Sequence, residues 1–182
     1  RIAVAANQAN YKWEFKLVDD NQANALCLRG GKVVVYTGIL KYAKNDDQLA
    51  TVISHEVAHA LARHGAERVT QGMIQQGVGI LGSVAVAATA PQYQNAFNQA
   101  YGLGSNLGVM LPYGRMQESE ADEIGIYLMH KAGYNVNEAT KFWENMSEGK
   151  SGGNDFFSTH PSSQNRTKDI QTVINKIGNE AK

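Results

Sequence analysis

The sequence contains a single cysteine and only three prolines, and its 17 basic and 17 acidic residues leave no net charge. One cysteine excludes an internal disulfide framework and a zinc site made of thiolates. That residue, Cys27, lies in a short apolar run, which favours an ordinary buried side chain. The charges form no basic block and do not alternate with aromatic residues, so the composition does not predict a nucleic-acid partner.

Long hydrophobic runs are also missing. The longest, Gly77 to Ala90, is shorter than the roughly 20 residues that span a bilayer, so we expect a buried helix or a helix-packing surface there. The chain opens at Arg1 in the middle of a helical pattern, and we expect it to be a fragment without its targeting segment. Its length fits one domain that can bury a sizeable core.

The stretch His55-Glu56-Val57-Ala58-His59 fits the pattern HExxH in a segment with helical periodicity. Residues four apart share one face of a helix, so both imidazoles can approach one Zn²⁺ at about 2.0–2.1 Å. Glu56 lies beside them, where its carboxylate can act on a water at the metal. Two surface histidines and a solvated glutamate would give the same pattern by chance.

The surrounding residues place this motif on a helix that enters a core. Asn45 is a candidate N-cap and is followed by two acidic residues. Leu49, Val52 and Ile53 share a face with Glu56, so an apolar stripe leads to a carboxylate. We expect the helix to end near Gly65.

A catalytic zinc site of this kind needs a third protein ligand, commonly a carboxylate. A second helix, predicted from Arg115 to Ala132 and ended by Gly133, carries Glu118, Glu120 and Asp122. Either glutamate could be the ligand by composition. Glu118 shares a face with Asp122, which could then orient a ligating imidazole, whereas Glu120 points roughly 200° away. An ordinary acidic first turn would also give this sequence.

Four blocks of the sequence occur in a fixed order: GGKVVVYTG at 30–38, HEVAH at 55–59, LPYGRMQESEAD at 111–122, and Thr159-His160-Pro161 with Arg166 beyond it. Together they resemble the HtpX-like and CaaX prenyl protease family of zinc metallopeptidases, which are gluzincins. The resemblance extends from about residue 20 to 170, which is most of the chain.

The resemblance implies one zinc ion per chain, held by His55, His59 and Glu118, and it implies Glu56 as the catalytic base. Asp122 matches a carboxylate that is described in the family as a proton donor, although its position favours accepting a hydrogen bond from a ligating histidine.

The C-terminal blocks match residues that face the active site in this family. His160 and Arg166 form that pair, and His160 is our candidate donor to the oxyanion of the transition state. A neutral His160 could instead occupy the fourth metal position and block the site at rest.

The predicted fold is α+β and mostly helical, with a zincin-like core in which a small β-sheet lies beside two metal-bearing helices. We interpret residues 1–182 as a single zinc metallopeptidase domain, with an inserted helical hairpin at about 67–110 that is broken by Pro91. Further helices are predicted at 39–43, from Asn137 to Met146 and from Ser162 to Asn179, and a flexible loop at Gly149–Asp155.

A strand is predicted before the metal helix. If it lies at the edge of the sheet, it could bind an extended substrate by β-augmentation, and the alternative is an interior strand. The candidate substrate-binding residues are Val33, Val34, Val35 and Tyr36.

The predicted function is a zinc-dependent endopeptidase acting on polypeptide substrates, in particular misfolded or envelope proteins. The resemblance implies protein quality control in the bacterial periplasm or at the periplasmic face of the outer membrane, with membrane-associated protein partners. Two alternatives stay open: a catalytically silent binding module, and a zinc amidase acting on cell-wall peptides.

Overall fold

The structure is a computed structural model that describes residues 1–149, 156–161 and 165–180. Within these ranges the strands are β1 (Glu14–Val18), β2 (Ala25–Leu28) and β3 (Lys32–Tyr36). The helices are α1 (Ile2–Ala6), α2 (Asp46–Leu61), α3 (His64–Thr89), α4 (Gln94–Ser105), α5 (Leu111–Lys131), α6 (Glu138–Glu148), α7 (Phe156–Thr159) and α8 (Arg166–Glu180). The predicted mostly helical α+β class is therefore confirmed.

The three strands form one sheet in the order β1-β3-β2. β3 pairs in parallel with β1 and antiparallel with β2. The interpretation of Val33, Val34, Val35 and Tyr36 as an edge strand is therefore wrong, because both sides of β3 are already hydrogen-bonded to neighbouring strands. A substrate strand has no backbone partners to find there.

Helix α2 lies at the centre of the fold and packs against the sheet on one side and α5 and α6 on the other. The contact with α5 is close because Gly125 has no side chain. A Cβ atom there would lie 3.2 Å from the backbone nitrogen of His55 and 3.3 Å from its Cα. Gly125 therefore lets the two helices that carry the predicted site approach each other at His55.

The ends of the helices test several local predictions. The Asn45 side chain accepts a hydrogen bond from the Gln48 amide, as an N-cap does. Gly133 adopts φ +72° directly after α5, which is the left-handed conformation of a C′ glycine. Asn137 stands at the N-cap of α6, but its side chain makes no capping bond.

The predicted end of α2 at Gly65 is wrong. The helix ends at Leu61, and Arg63 turns the chain in a left-handed conformation with φ 62°. Gly65 already belongs to α3. The turn at Arg63 directs His64 back towards α2, where it contacts His59.

Helices α3 and α4 form a hairpin between α2 and α5. The expectation that the run from Gly77 to Ala90 is a buried helix or a helix-packing surface is only half met. One side packs on α4, but Val78, Ile80, Leu81 and Val84 are each more than half exposed. By length and composition alone, the helix His64–Thr89 could cross a membrane.

Two predictions lie partly or wholly outside the described residues. They are the flexible loop at 149–155, of which only Gly149 is described, and the start of the last helix at 162–164. The described part of that helix begins at Arg166.

Candidate active site

The two histidines of the HExxH motif lie on the inner face of α2. His55 is 1% exposed and the His59 side chain is 11% exposed. Their Nε2 atoms are 3.0 Å apart. The i, i+4 spacing on one helix therefore brings two imidazole nitrogens together, as the motif predicts.

Helix α5 adds a carboxylate to this pair. Glu118 is 3% exposed, and its Oε2 lies 3.1 Å from Nε2 of His55. Its Oε1 lies 3.3 Å from Nε2 of His59. Glu120, the other candidate, has a 58% exposed side chain and does not reach these nitrogens.

His160, at the end of α7, brings a fourth potential metal ligand to this cluster. Its Nδ1 lies 3.2 Å from Oε2 of Glu118 and 3.5 Å from Nε2 of His55. Its ring stacks on Phe156, with centroids 4.2 Å apart and an interplanar angle of 16°. The backbone nitrogen of His160 also donates to the carbonyl of Phe156, so both the ring and the backbone of His160 contact this residue.

Asp122 lies behind His55, on the side away from the donor cluster. Its Oδ1 is 2.9 Å from Nδ1 of His55. A carboxylate can only accept, so Nδ1 of His55 carries the hydrogen and Nε2 faces the cluster. Arg166 holds Asp122 with two hydrogen bonds of 2.7 and 2.8 Å, and its guanidinium lies over the ring of Trp143. Asp122, held in place by Arg166, therefore orients the ring of His55.

His64 does the same for His59, a contact that the sequence did not predict. Nδ1 of His64 lies 2.8 Å from Nδ1 of His59, and its Nε2 lies 3.1 Å from a carboxylate oxygen of Glu120. Because Glu120 accepts, Nε2 of His64 carries the hydrogen and Nδ1 is left to accept from His59. That tautomer leaves Nε2 of His59 free to bind a metal.

Arg68, from the first turns of α3, is a second residue that the sequence did not reveal. It donates to Oε1 of Glu118 at 3.0 Å and to the side chain of Gln117 at 2.7 Å. Arg68 is four residues from His64, so helix spacing could have linked the two if the start of α3 had been known.

Burial and hydrogen bonding set opposite pKa shifts for the two motif histidines. Burial works to lower the pKa of His55, but the hydrogen bonds to Asp122 and Glu118 outweigh it and raise the pKa to about 9. Burial lowers the pKa of His59 to about 3, despite its contact with Glu118. His59 is therefore neutral at physiological pH.

The three buried carboxyl groups also differ. Burial acts to raise the pKa of Glu118, but hydrogen bonds from His160, His55 and His59 hold it far below its usual range. Burial likewise opposes ionisation of Asp122, and the Arg166 charge prevails and lowers its pKa. At Glu56, burial prevails and raises the pKa.

Glu56 is the one residue of the motif that keeps an unused acceptor. Its Oε1 is buried and has no hydrogen-bond partner among the described residues. Nε2 of His160 lies 3.4 Å away. The glutamate lines a cleft of about 250 Å³ together with His59, His160 and the edge residues Cys27 and Leu28 of β2. Glu56 therefore has room for a small polar partner.

The donor set fits a metal ion. One ligand atom from each of His55, His59, Glu118 and His160 lies within 4.8 Å of the others. Four ligands at about 2.0–2.1 Å around a tetrahedral zinc would be roughly 3.3 Å apart. The five separations given above, 3.0 to 3.5 Å, match that value. Imidazole and carboxylate ligands suit zinc, and the lone cysteine is not among them.

Comparison with known proteins identifies the family of this chain. The model of Peptidase family M48 matches residues 1–174. The chain is 38% identical over 174 residues to the mitochondrial metalloendopeptidase OMA1 of Schizosaccharomyces pombe, covering 94% of this chain and 49% of that protein. It is 39% identical over 169 residues to the OMA1 protein of Arabidopsis thaliana, covering 91% and 32%.

A bacterial relative is more distant. The beta-barrel assembly-enhancing protease of Escherichia coli is 29% identical over 183 residues, covering 97% of this chain and 37% of that protein. The chain thus spans half or less of the length of these relatives. The family match nevertheless covers nearly all of this chain, and the chain belongs to peptidase family M48.

Proposed function

We propose that this chain is a zinc-dependent endopeptidase domain that hydrolyses peptide bonds within polypeptides. The observation that carries the proposal is the buried cluster of two histidines and a glutamate beside a carboxylate with an unused oxygen. Membership of a peptidase family supports the reaction class.

His55, His59 and Glu118 would hold one zinc ion through Nε2, Nε2 and a carboxylate oxygen. When bound, zinc would make a water more acidic and polarise the scissile carbonyl. The protein supplies the remaining groups of the reaction.

Glu56 acts as the general base. Its free Oε1 lies in the cleft, and burial raises the pKa of the carboxyl group towards the range in which a base is most effective. Glu56 takes a proton from the attacking water and then passes it to the leaving amine, so the proton count balances.

Two groups fix the ligand histidines before substrate arrives. Asp122, held by Arg166, orients His55, and His64, backed by Glu120, orients His59. Such partners set the tautomer and ring direction of metal-binding histidines. The acidic stretch 118–122 thus serves the site at three points, as ligand, as partner of His64 and as partner of His55.

His160 takes one of two places in the reaction. Its Nδ1 lies at the fourth corner of the donor cluster, which corresponds to the occluded arrangement at rest. Its Nε2 faces Glu56 at 3.4 Å. In the working enzyme His160 leaves the fourth position, since catalysis requires an open one, and then donates to the oxyanion of the transition state.

The edge strand β2 replaces β3 as the substrate-binding strand. β2 ends the sheet on the side where Cys27 and Leu28 line the cleft with Glu56. β1 ends the sheet on the other side and does not line this cleft. An extended peptide added to β2 would pass beside Glu56 and the metal ligands, which favours unfolded or extended substrate segments.

The natural substrates and compartment stay predictions. The two OMA1 relatives are named as mitochondrial, whereas the name of the Escherichia coli relative refers to beta-barrel assembly. The periplasmic location, the role in quality control of misfolded envelope proteins and the membrane-associated partners rest on the resemblance noted above.

The test combines metal analysis with product analysis. Purified protein should hold about one zinc per chain, cleave casein, and lose cleavage when zinc is removed by a chelator and regain it when zinc is returned. His59→Ala should lose the zinc. Hydrolysis of peptidoglycan fragments in place of casein would indicate an amidase, and no hydrolysis of either by the zinc-loaded protein would indicate a binding module.

A further inference from the structure

The hairpin of α3 and α4 has its apolar side chains on the outside. On α3, Met73, Ile74, Val78, Ile80 and Leu81 are 53% to 73% exposed. At 100° per residue these positions extend over about half of the helix circumference. An exposed apolar surface of this extent is typical of an interaction site.

The segment also lacks charge. No Asp, Glu, Lys, Arg or His occurs from Val69 to Gly114, although charged residues make up 19% of the whole chain. A soluble hairpin of this length would ordinarily carry charged residues on its outer face. Arg63 and Arg115 are exposed near the two points where the hairpin joins the rest of the fold.

In the interior of the hairpin, glycines on α3 pack against aromatic rings on α4. Gly79 and Gly82 lie against Tyr101 and Phe97 so closely that a Cβ atom would come within 2.7 and 2.5 Å of the rings. The hydroxyl of Tyr101 donates to the carbonyl of Gln75 at 2.8 Å.

Polar side chains complete the contact between the helices. Gln75 bonds Ser105, and Gln94 bonds Ser83. Small residues and hydrogen bonds between helices, with apolar side chains outside, are the packing pattern of helices in lipid.

We propose that the hairpin inserts its apolar side into the interfacial region of a lipid bilayer. Spanning is disfavoured because α4 exposes Asn95, Asn98 and Gln99, which would lie in hydrocarbon. Lying in the interface keeps these amides at the headgroups while the aliphatic face of α3 is buried.

A lipid surface fits this hairpin better than a second copy of the chain. A protein partner commonly covers a stripe of roughly 100° on a helix, whereas the exposed apolar positions of α3 extend over about half of its circumference. Hydrocarbon has no directional requirement and tolerates a surface without charges, and the exposed Arg63 and Arg115 suit the lipid phosphates.

Insertion would also place the catalytic cleft beside the bilayer. Gly65, Ala66 and Arg68, in the first turns of α3, line the cleft that contains Glu56. The substrates that reach this cleft would then be polypeptide segments emerging from, or lying on, the membrane surface. The membrane inference itself does not depend on the proposed peptidase activity.

The test uses the whole chain and vesicles of zwitterionic phosphatidylcholine in a flotation assay. The wild-type protein should float with the vesicles. Binding should persist at about 1 M salt, where the Debye length is about 3 Å, because the inserted segment has no charges. The double variant Ile80→Ser/Leu81→Ser should reduce partitioning at least tenfold, since two large aliphatic side chains no longer enter the lipid.

The matched control is Leu17→Ser/Leu40→Ser, which changes two exposed leucines outside the hairpin and should float like wild type. Both variants should keep the wild-type melting temperature, and cleavage of a soluble peptide should also be unchanged. Wild-type protein that stays in solution would overturn the proposal, as would equal flotation of both double variants. Light scattering could instead show a wild-type dimer that does not float and that Ile80→Ser/Leu81→Ser dissociates. That result would assign the surface to a second copy of the chain.

Discussion

The α2–α5 core and the α3–α4 hairpin distribute their side chains in opposite ways. The core buries His55, Glu56, Glu118, Asp122 and Arg166, each at most 8% exposed. The hairpin buries no residue after His64 and exposes aliphatic side chains along its length. Each region departs from the usual pattern of apolar residues inside and charged residues outside.

The two departures have different compensations. In the core the buried charges have partners, since Arg166 compensates Asp122 and the half-exposed Arg68 of α3 lies against Glu118. Removing one partner of such a pair leaves an uncompensated buried charge, which is strongly destabilising. In the hairpin nothing within the described residues covers the apolar face, and we propose that a lipid surface does so. We therefore assign the proposed chemistry to the core and the proposed membrane contact to the hairpin.

The largest effect is expected when the core loses its ligand carboxylate. Glu118→Gln should lose zinc and with it essentially all peptidase activity, because a charged ligand oxygen becomes a neutral amide. Glu120→Gln should retain zinc, since its exposed carboxylate acts only through His64. Metal content after dialysis measures both. Zinc retained by Glu118→Gln and lost by Glu120→Gln would transfer the ligand role to Glu120.

A smaller loss is expected when the support of His55 is weakened. Asp122→Asn keeps the shape of the side chain but removes the charge that Arg166 holds, and it should lower zinc affinity roughly 10–100-fold. Competition with a chromophoric chelator gives the affinity. The control Glu123→Gln changes the neighbouring exposed carboxylate and should match wild type. Equal affinities for the two variants would make Asp122 a purely structural residue.

His160 tests whether the core is occluded at rest. His160→Ala opens the fourth position but also removes the proposed donor to the oxyanion, so kcat should fall by roughly 10²–10³. Steady-state kinetics on a soluble peptide give the result. A rise in kcat would instead show that His160 mainly occludes the site, and a tenfold rise would correspond to about 1.4 kcal/mol favouring the occluded arrangement. Wild-type activity and metal affinity would exclude both roles.

The smallest effect is expected in the hairpin, and one pair of identical substitutions compares the two regions. Val52 in α2 is fully buried, so Val52→Ala should lower the free energy of unfolding by about 2 kcal/mol. Val78 in α3 is 53% exposed, so Val78→Ala should change it by less than about 0.5 kcal/mol. Denaturant unfolding without lipid gives both values. Equal losses would mean that the exposed face of α3 is covered in solution.

The core was predictable from the sequence because its signals are local. The HExxH spacing and the i, i+4 relation of Glu118 and Asp122 depend only on helix geometry, and the structure brings these residues together. His64 was missed because it follows a helix break: only the left-handed turn at Arg63 directs it towards His59.

Features that depend on distant parts of the chain were not predictable. The central position of β3 results from its parallel pairing with β1, and the sequence of β3 alone does not indicate that pairing. The apolar run in α3 could not be assigned to core or surface, because periodicity does not tell a buried helix from an exposed apolar one.

The proposed role of Glu56 is that of a base beside a protein-bound zinc ion. It is tested most directly by measuring zinc content and peptide hydrolysis together for wild type and Glu56→Gln. Glutamine keeps the size of the side chain but cannot take a proton. Both proteins should therefore hold about one zinc per chain, while the hydrolysis rate of the variant falls roughly 10²–10⁴-fold. Near-wild-type hydrolysis by the zinc-loaded variant would contradict the account.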